Sequence, residues 1–242
     1  MFTVADRNRA RDRVLELASS DPRVVAGAVV GSLALGEGDR WSDLDLTFGV
    51  ADGVPVHDVL EDWTRAVSAD LGAVHLFDLP RGESIYRVFV LPGCLQLDLS
   101  FTPASAFGAA SPTFRLLFGT AVDRPHTPPR DTGELFGYAV HHALRARFAV
   151  ERGRFWLAEF WISAVRDYAL GLACTRRGLP SDYGRGFDDL PAEVLDAFRD
   201  SFVLRLERDE LLRALGCAVD GLRREAGGLA AAVEPQLREL AG

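Results

Sequence analysis

The segment Gly31 to Leu46 constrains this 242-residue chain more than any other: Gly-Ser-Leu-Ala-Leu-Gly-Glu-Gly-Asp-Arg-Trp-Ser-Asp-Leu-Asp-Leu. It follows Val24 to Val30, an apolar, β-branched run that reads as a buried strand. A Gly-Ser turn leads into a short glycine-bounded stretch, and a second strand opens on Asp-x-Asp. Side chains two residues apart on a strand share a face. Asp43, Asp45 and Thr47 are therefore expected on one face, with Leu44, Leu46 and Phe48 turned to the core. Two carboxylates held ~7 Å apart on a rigid strand repel each other unless a divalent cation joins them.

The stretch Leu95 to Phe101 repeats this logic. Leu95, Leu97, Leu99 and Phe101 make an apolar face, and Gln96, Asp98 and Ser100 make a polar one. If the two strands are near neighbours, Asp98 joins Asp43 and Asp45. Three carboxylates on one sheet face suit two Mg²⁺ ions and an in-line phosphoryl or nucleotidyl displacement. The Gly31-Ser32 turn then offers a hydroxyl and backbone N–H groups where a triphosphate could sit.

The surrounding pattern is of mixed type. Helices are expected over Ala5 to Ser19 and over Val56 to Leu71, where Val59, Leu60, Trp63 and Val67 line one side. Strands are expected over Ala73 to Leu79 and Ile85 to Leu91, separated by Pro-Arg-Gly and Pro-Gly turns. From Asp131 the chain reads as helical: Glu134 to Arg152, Arg154 to Arg177, Ala192 to Ser201, and Leu204 to about Leu240. The fold class expected is α+β: an N-terminal mixed β-sheet domain with flanking helices over residues 1–123, then an all-helical bundle domain over 131–242. The proline-rich stretch 124–130 is the expected linker.

Gly-Ser, a ten-residue gap, Asp-x-Asp between apolar residues and a later acidic strand position together resemble the nucleotidyltransferase superfamily, with its DNA polymerase β-like fold. The run from Gly31 to Leu46 is most similar to the antibiotic-modifying members, the aminoglycoside and lincosamide nucleotidyltransferases, which join such a domain to a helical one. The resemblance implies that Asp43 and Asp45 ligate Mg²⁺, in a two-metal site, and that Asp98 is the third carboxylate, a metal ligand or the base. It implies that Gly31, Ser32 and Ser42 hold the phosphates of a nucleoside triphosphate, ATP being the expected co-substrate. The expected reaction moves AMP to a hydroxyl of a small molecule, an aminoglycoside or other antibiotic, and releases pyrophosphate. Two alternatives stand beside it: nucleotidylation of a protein or tRNA end, as in antitoxin-type members, and a catalytically silent nucleotide-binding module.

Charge narrows the partners. Acidic residues outnumber basic ones 35 to 27, giving a net charge of −8, and every basic residue is Arg because the chain has no Lys. That balance disfavours duplex nucleic acid, whose binding rests on a broad basic surface, and favours a cationic acceptor. Any protein grip on a triphosphate must come from Arg, hydroxyls and backbone N–H groups. Cys94, Cys174 and Cys217 lack disulfide or zinc spacing and read as small buried residues of a cytosolic protein. No apolar run is long enough to span a bilayer.

In the helical half, Trp161, Val165, Tyr168 and Leu172 read as a core stripe, with Glu159, Ser163 and Arg166 on another face. Glu159 could grip a cationic acceptor and Arg166 a phosphate; against that stands an ordinary ion-paired helix face. The loop Tyr183-Gly-Arg185-Gly-Phe-Asp-Asp could form a substrate lip, or merely connect helices with Asp188 or Asp189 as N-cap.

Overall fold

Residues 1–36, 38–126 and 128–241 are described in a computed structural model. β1 (Val24–Val30) pairs antiparallel with β2 (Leu44–Val50), and β2 pairs parallel with β5 (Leu95–Pro103). β5 pairs antiparallel with β4 (Ser84–Leu91), which pairs with the edge strand β3 (Val74–Arg81). β6 (Phe114–Phe118) closes the other edge against β1, giving the order β3-β4-β5-β2-β1-β6. The β2–β5 pair is the parallel one, and its register sets Asp45 beside Asp98.

Alternation gives the sheet two unlike faces. Leu44, Leu46, Phe48 and Val50 on β2, with Leu95, Leu97, Leu99 and Phe101 on β5, are buried in the main core of this half. The cover includes α1 (Val4–Ser20) and α3 (Val56–Leu71), which contribute Val14, Val59, Leu60, Trp63 and Val67. The Trp63 ring lies tilted 4.9 Å from Phe48 and edge-to-face 5.0 Å from Phe101, an aromatic triad worth ~1 kcal/mol per pair beyond its burial. α1 starts cleanly because Thr3 and Asp6 form a capping box. The opposite face carries Asp45, Thr47, Asp98, Ser100 and Thr102, with Phe107 packed on Ala26 and Ala28.

The chain divides into two compact units, Met1–Thr127 and Pro128–Gly242. The second is built from α4 (Thr132–Glu151), α5 (Phe155–Arg176), α6 (Ala192–Phe198), α7 (Arg208–Ala226) and α8 (Glu234–Ala241). Ala143, Ala146, Ile162, Val165, Leu215 and Leu222 are among the residues of its core. Small residues dominate the α4 contribution, which lets α4 and α5 approach closely.

Several expectations need correction. The second strand begins at Leu44, so Asp43 stands just before it, not on its face. β6 was not anticipated, because Phe-Arg-Leu-Leu-Phe does not alternate and its pairing with β1 is non-local. The last helix is two, broken after Ala226 at Gly227, whose φ of 54° ends the helix, and it starts at Arg208. Cys94 is exposed, not buried. Trp161 and Tyr168 are only partly buried, and the buried stripe of α5 runs through Ala158, Ile162, Val165, Ala169 and Leu172. Among the described residues, no helix is long and apolar enough to cross a membrane.

Candidate active site

The site is built where β1 ends. Gly31 follows the strand with φ 72° and ψ −157°, a conformation essentially closed to L side chains. It caps α2 (Ser32–Leu35), a single helical turn that Gly36 ends in the left-handed region. A Cβ on Gly31 would lie 2.6 Å from Asp45 Oδ2. The carboxylate of β2 is thus pressed against the Gly-Ser turn, and glycine is required for both reasons.

The loop back to β2 is held by hydroxyls and one buried cation. Ser32 donates to Ser42 Oγ at 3.2 Å, Ser42 donates to Asp39 Oδ1, and the Asp39 N–H donates to Ser42 Oγ at 2.9 Å. The Trp41 N–H also donates to Asp39 Oδ1, an Asx-type turn that holds the Asp39 carboxyl below the usual carboxylate range. From α1, Arg7 Nη1 donates to the Asp39 carbonyl at 2.6 Å and the Ser42 carbonyl at 2.8 Å. Asp43 follows directly, so its position is inherited from Ser42. Sequence reasoning missed Arg7; it is one of four Arg at alternate positions of α1, Arg7, Arg9, Arg11 and Arg13, and nothing local sets it apart.

Across the β2–β5 pair, Asp45 and Asp98 are direct neighbours in register. Asp98 is half-buried. Burial raises its pKa, Asp43 adds repulsion, and hydrogen bonds donated by Gln96 Nε2 at 3.1 and 3.2 Å work the other way. Asp45 and Asp98 are thus paired on the parallel strands, and Asp43, just before β2, is near enough to Asp98 to repel it. As donors they are hard carboxylate oxygens, the set that Mg²⁺ takes. Among the described residues, however, no group of three or more His, Cys, Asp or Glu is close enough together to hold a metal ion.

The four candidates of the helical unit do not form one cluster. Tyr183 has φ 57° and lies, with Tyr168, Arg130 and Asp167, on the wall of a cavity of about 390 Å³. The Arg185 guanidinium is 5.7 Å from the Tyr183 ring. Arg166 instead donates to Ser163 Oγ at 2.9 Å and the Ser201 carbonyl at 3.1 Å, and stacks 4.1 Å over Phe202. Burial lowers its pKa, and the nearby charge of Glu159 opposes that shift. The helix after the loop is preceded by Pro191, with no side chain capping it, so neither Asp188 nor Asp189 is its N-cap.

No protein-family model matches the chain, and comparison with curated proteins finds no match. Among solved structures the chain is similar to an aminoglycoside 6-adenyltransferase from Bacillus subtilis, 11% identical, covering 97% of this chain and 98% of that one, with a TM-score of 0.37. At that TM-score the backbones do not superpose closely enough to transfer residue roles.

Proposed function

We propose that this chain transfers a nucleoside monophosphate, AMP from ATP, to a hydroxyl of a small cationic molecule in the cytosol, an aminoglycoside or another antibiotic. The observation that carries the reading is the register that sets Asp45 beside Asp98 while the Asp45 carboxylate lies against the Gly31-Ser32 turn. A phosphate-receptive turn and neighbouring carboxylates at the mouth of a parallel strand pair are what nucleotidyl transfer needs.

In this reading the acceptor oxygen attacks the α-phosphorus, the new O–P bond forms, the bond to the β-phosphate oxygen breaks, and pyrophosphate leaves. Ser32 and Ser42 donate hydroxyls to the phosphates, beside the N–H groups of the one-turn helix. Asp43, Asp45 and Asp98 would hold Mg²⁺, which when bound neutralises phosphate charge and aligns the groups in line. Where Asp98 is not a metal ligand, it is the base that takes the proton of the attacking hydroxyl. The net charge of −8 supports a cationic acceptor through long-range attraction. Arg166, bonded to Ser163 and the Ser201 carbonyl, stabilises the helical unit.

The test is intact-mass analysis of an aminoglycoside panel incubated with the chain, each nucleoside triphosphate and Mg²⁺. We expect one acceptor to gain the mass of a nucleotidyl group, strongest with ATP, and to lose that gain in Asp45→Asn. A labelled protein or tRNA with no small-molecule product would overturn the acceptor assignment. Triphosphate binding with no product from any acceptor would overturn catalysis itself.

A further inference from the structure

Two arginines of the N-terminal unit are buried to similar depth, and their surroundings differ. Arg87, 4% exposed, bonds both oxygens of Asp78 and also Glu61 and Thr64. Among the described residues Arg7, 5% exposed, hydrogen-bonds only the two loop carbonyls, and its Nε has no partner. Asp39 lies near enough to feel its charge, but that carboxylate is engaged by Trp41 and Ser42. A buried guanidinium without a counter-anion is costly, and proteins seldom keep one without a reason.

Arg7 lines a cavity of about 330 Å³ at the edge of the sheet. Two further cations share that wall, Arg11 one turn along α1 and Arg115 on β6. Arg11 is paired with Asp12, the single acid of the lining, and Arg115 has no ion pair among the described residues. Much of the remaining wall is apolar and includes Leu15, Val29 and Leu44. Arg115 is in register with Val29, and Leu44 faces the helix-covered core, so the cavity opens on the sheet face opposite to Asp45 and Asp98. It is not part of the carboxylate site.

We propose that this cavity is a binding site for a small organic anion, with an apolar body against Leu15, Val29 and Leu44 and a phosphate or carboxylate among Arg7, Arg11 and Arg115. The volume is that of a small-ligand pocket, the wall carries a net excess of two positive charges, and the ligand supplies a partner for the buried Arg7 Nε, which has none among the described residues. The Arg forks favour planar or tetrahedral oxyanions held by paired hydrogen bonds. Because Arg7 also holds the Asp39 and Ser42 carbonyls, an occupant would act on the loop that carries Asp43 from behind.

The test needs no turnover. The full chain is titrated with phenyl phosphate, benzoate, inorganic phosphate and benzyl alcohol while the arginine Nε–H resonances are followed by NMR. Phenyl phosphate or benzoate should shift Arg7 and Arg115 saturably, the tighter of the two identifying the head group; inorganic phosphate should bind more weakly and benzyl alcohol not at all. Arg115→Gln, an exposed position, should weaken binding about tenfold, the loss of one charge-assisted contact. Asp45→Asn should leave it unchanged. Uniform shifts across all arginines, no saturable shift at Arg7 or Arg115, or undiminished affinity in Arg115→Gln would overturn the proposal. Loss of binding in Asp45→Asn would do so too, by placing the probe in the carboxylate site.

Discussion

A Cβ at Gly31 would stand 2.6 Å from Asp45 Oδ2, well inside van der Waals contact. The positive φ of Gly31 favours glycine, and a larger residue there would also have to push the Asp45 carboxylate aside. This joins two pieces of sequence fourteen residues apart: the Asp-x-Asp strand delivers its second carboxylate onto the Gly-Ser turn.

Gly31→Ala should cost stability and activity together. The backbone strain alone is about 1–3 kcal/mol, and the clash with Asp45 adds to it by displacing the carboxylate. Urea unfolding of Gly31→Ala, Asp45→Ala and the double variant separates the two effects. The double variant should recover the clash but not the strain, so the single effects will not add. Full additivity would show that Gly31 and Asp45 do not press on each other.

Asp98→Asn should separate stability from activity. Burial, then Asp43, raise the Asp98 pKa, so its ionised form costs the folded state free energy at neutral pH. Asparagine keeps the shape without the charge. We expect an unchanged or higher unfolding midpoint at pH 7, with nucleotidyl transfer reduced by at least ~10²-fold. The stability difference should close as pH falls and wild-type Asp98 protonates. A variant that is clearly less stable at neutral pH would contradict the assignment of the shift to burial and repulsion.

Local pattern predicted some of these features and not others, for physical reasons. Val56–Leu71 was legible to the residue, because an amphipathic period and a left-handed Gly72 mark its body and end. The in-register Asp45–Asp98 pair was legible as an expectation, since both strands alternate acid-out and apolar-in. What decided it was a parallel pairing across more than fifty residues, which no local pattern encodes. Arg7 was illegible for the same reason: its partners, the carbonyls of Asp39 and Ser42, are backbone groups of a distant loop. The break at Gly227 could have been read from the Gly-Gly pair, but an Ala- and Leu-rich context resembles a continuing helix.

Asp21 should govern acid unfolding of the N-terminal unit. Its carboxylate accepts from the Arg23 side chain and backbone N–H and from Trp63 Nε1, joining the end of α1 to β1 and α3. Arg23 first, and then Trp63, hold its pKa down at about 2, against an ordinary 3.8, even though burial works the other way. A lowered carboxyl pKa stabilises the fold above the unfolded value, and that contribution is lost as pH falls through the folded one. The window is therefore between about pH 4 and pH 2, and the amount is about 2 kcal/mol. Asp21→Asn should lose that amount at pH 7, and its gap from wild type should vanish near pH 2. A gap independent of pH would trace the loss to packing.

The two buried arginines should give crossed results when each is replaced by Met, which keeps the stem but removes the charge. Arg87 holds Asp78 and Glu61 from the helix-covered face, so Arg87→Met strands two carboxylates and should cost about 3 kcal/mol. Activity per folded molecule should stay near wild type, since Arg87 reaches no group of the loop or carboxylate site. Arg7→Met removes two hydrogen bonds to the loop but also an uncompensated buried charge, so the net stability change should be small, under about 1 kcal/mol. What it should lose is the placement of Ser42 and Asp43, and misplacement on the order of 1 Å reduces turnover ~10²-fold. The loss should fall on kcat more than on KM for the acceptor, and Arg7→Lys should rescue it in part, because both carbonyls are bound by the single Nη1 and an ammonium has donors for two. Unfolding curves and kcat measured on the same preparations decide the matter. Equal destabilisation in both variants, with activity tracking the folded fraction, would reduce Arg7 to a structural contact.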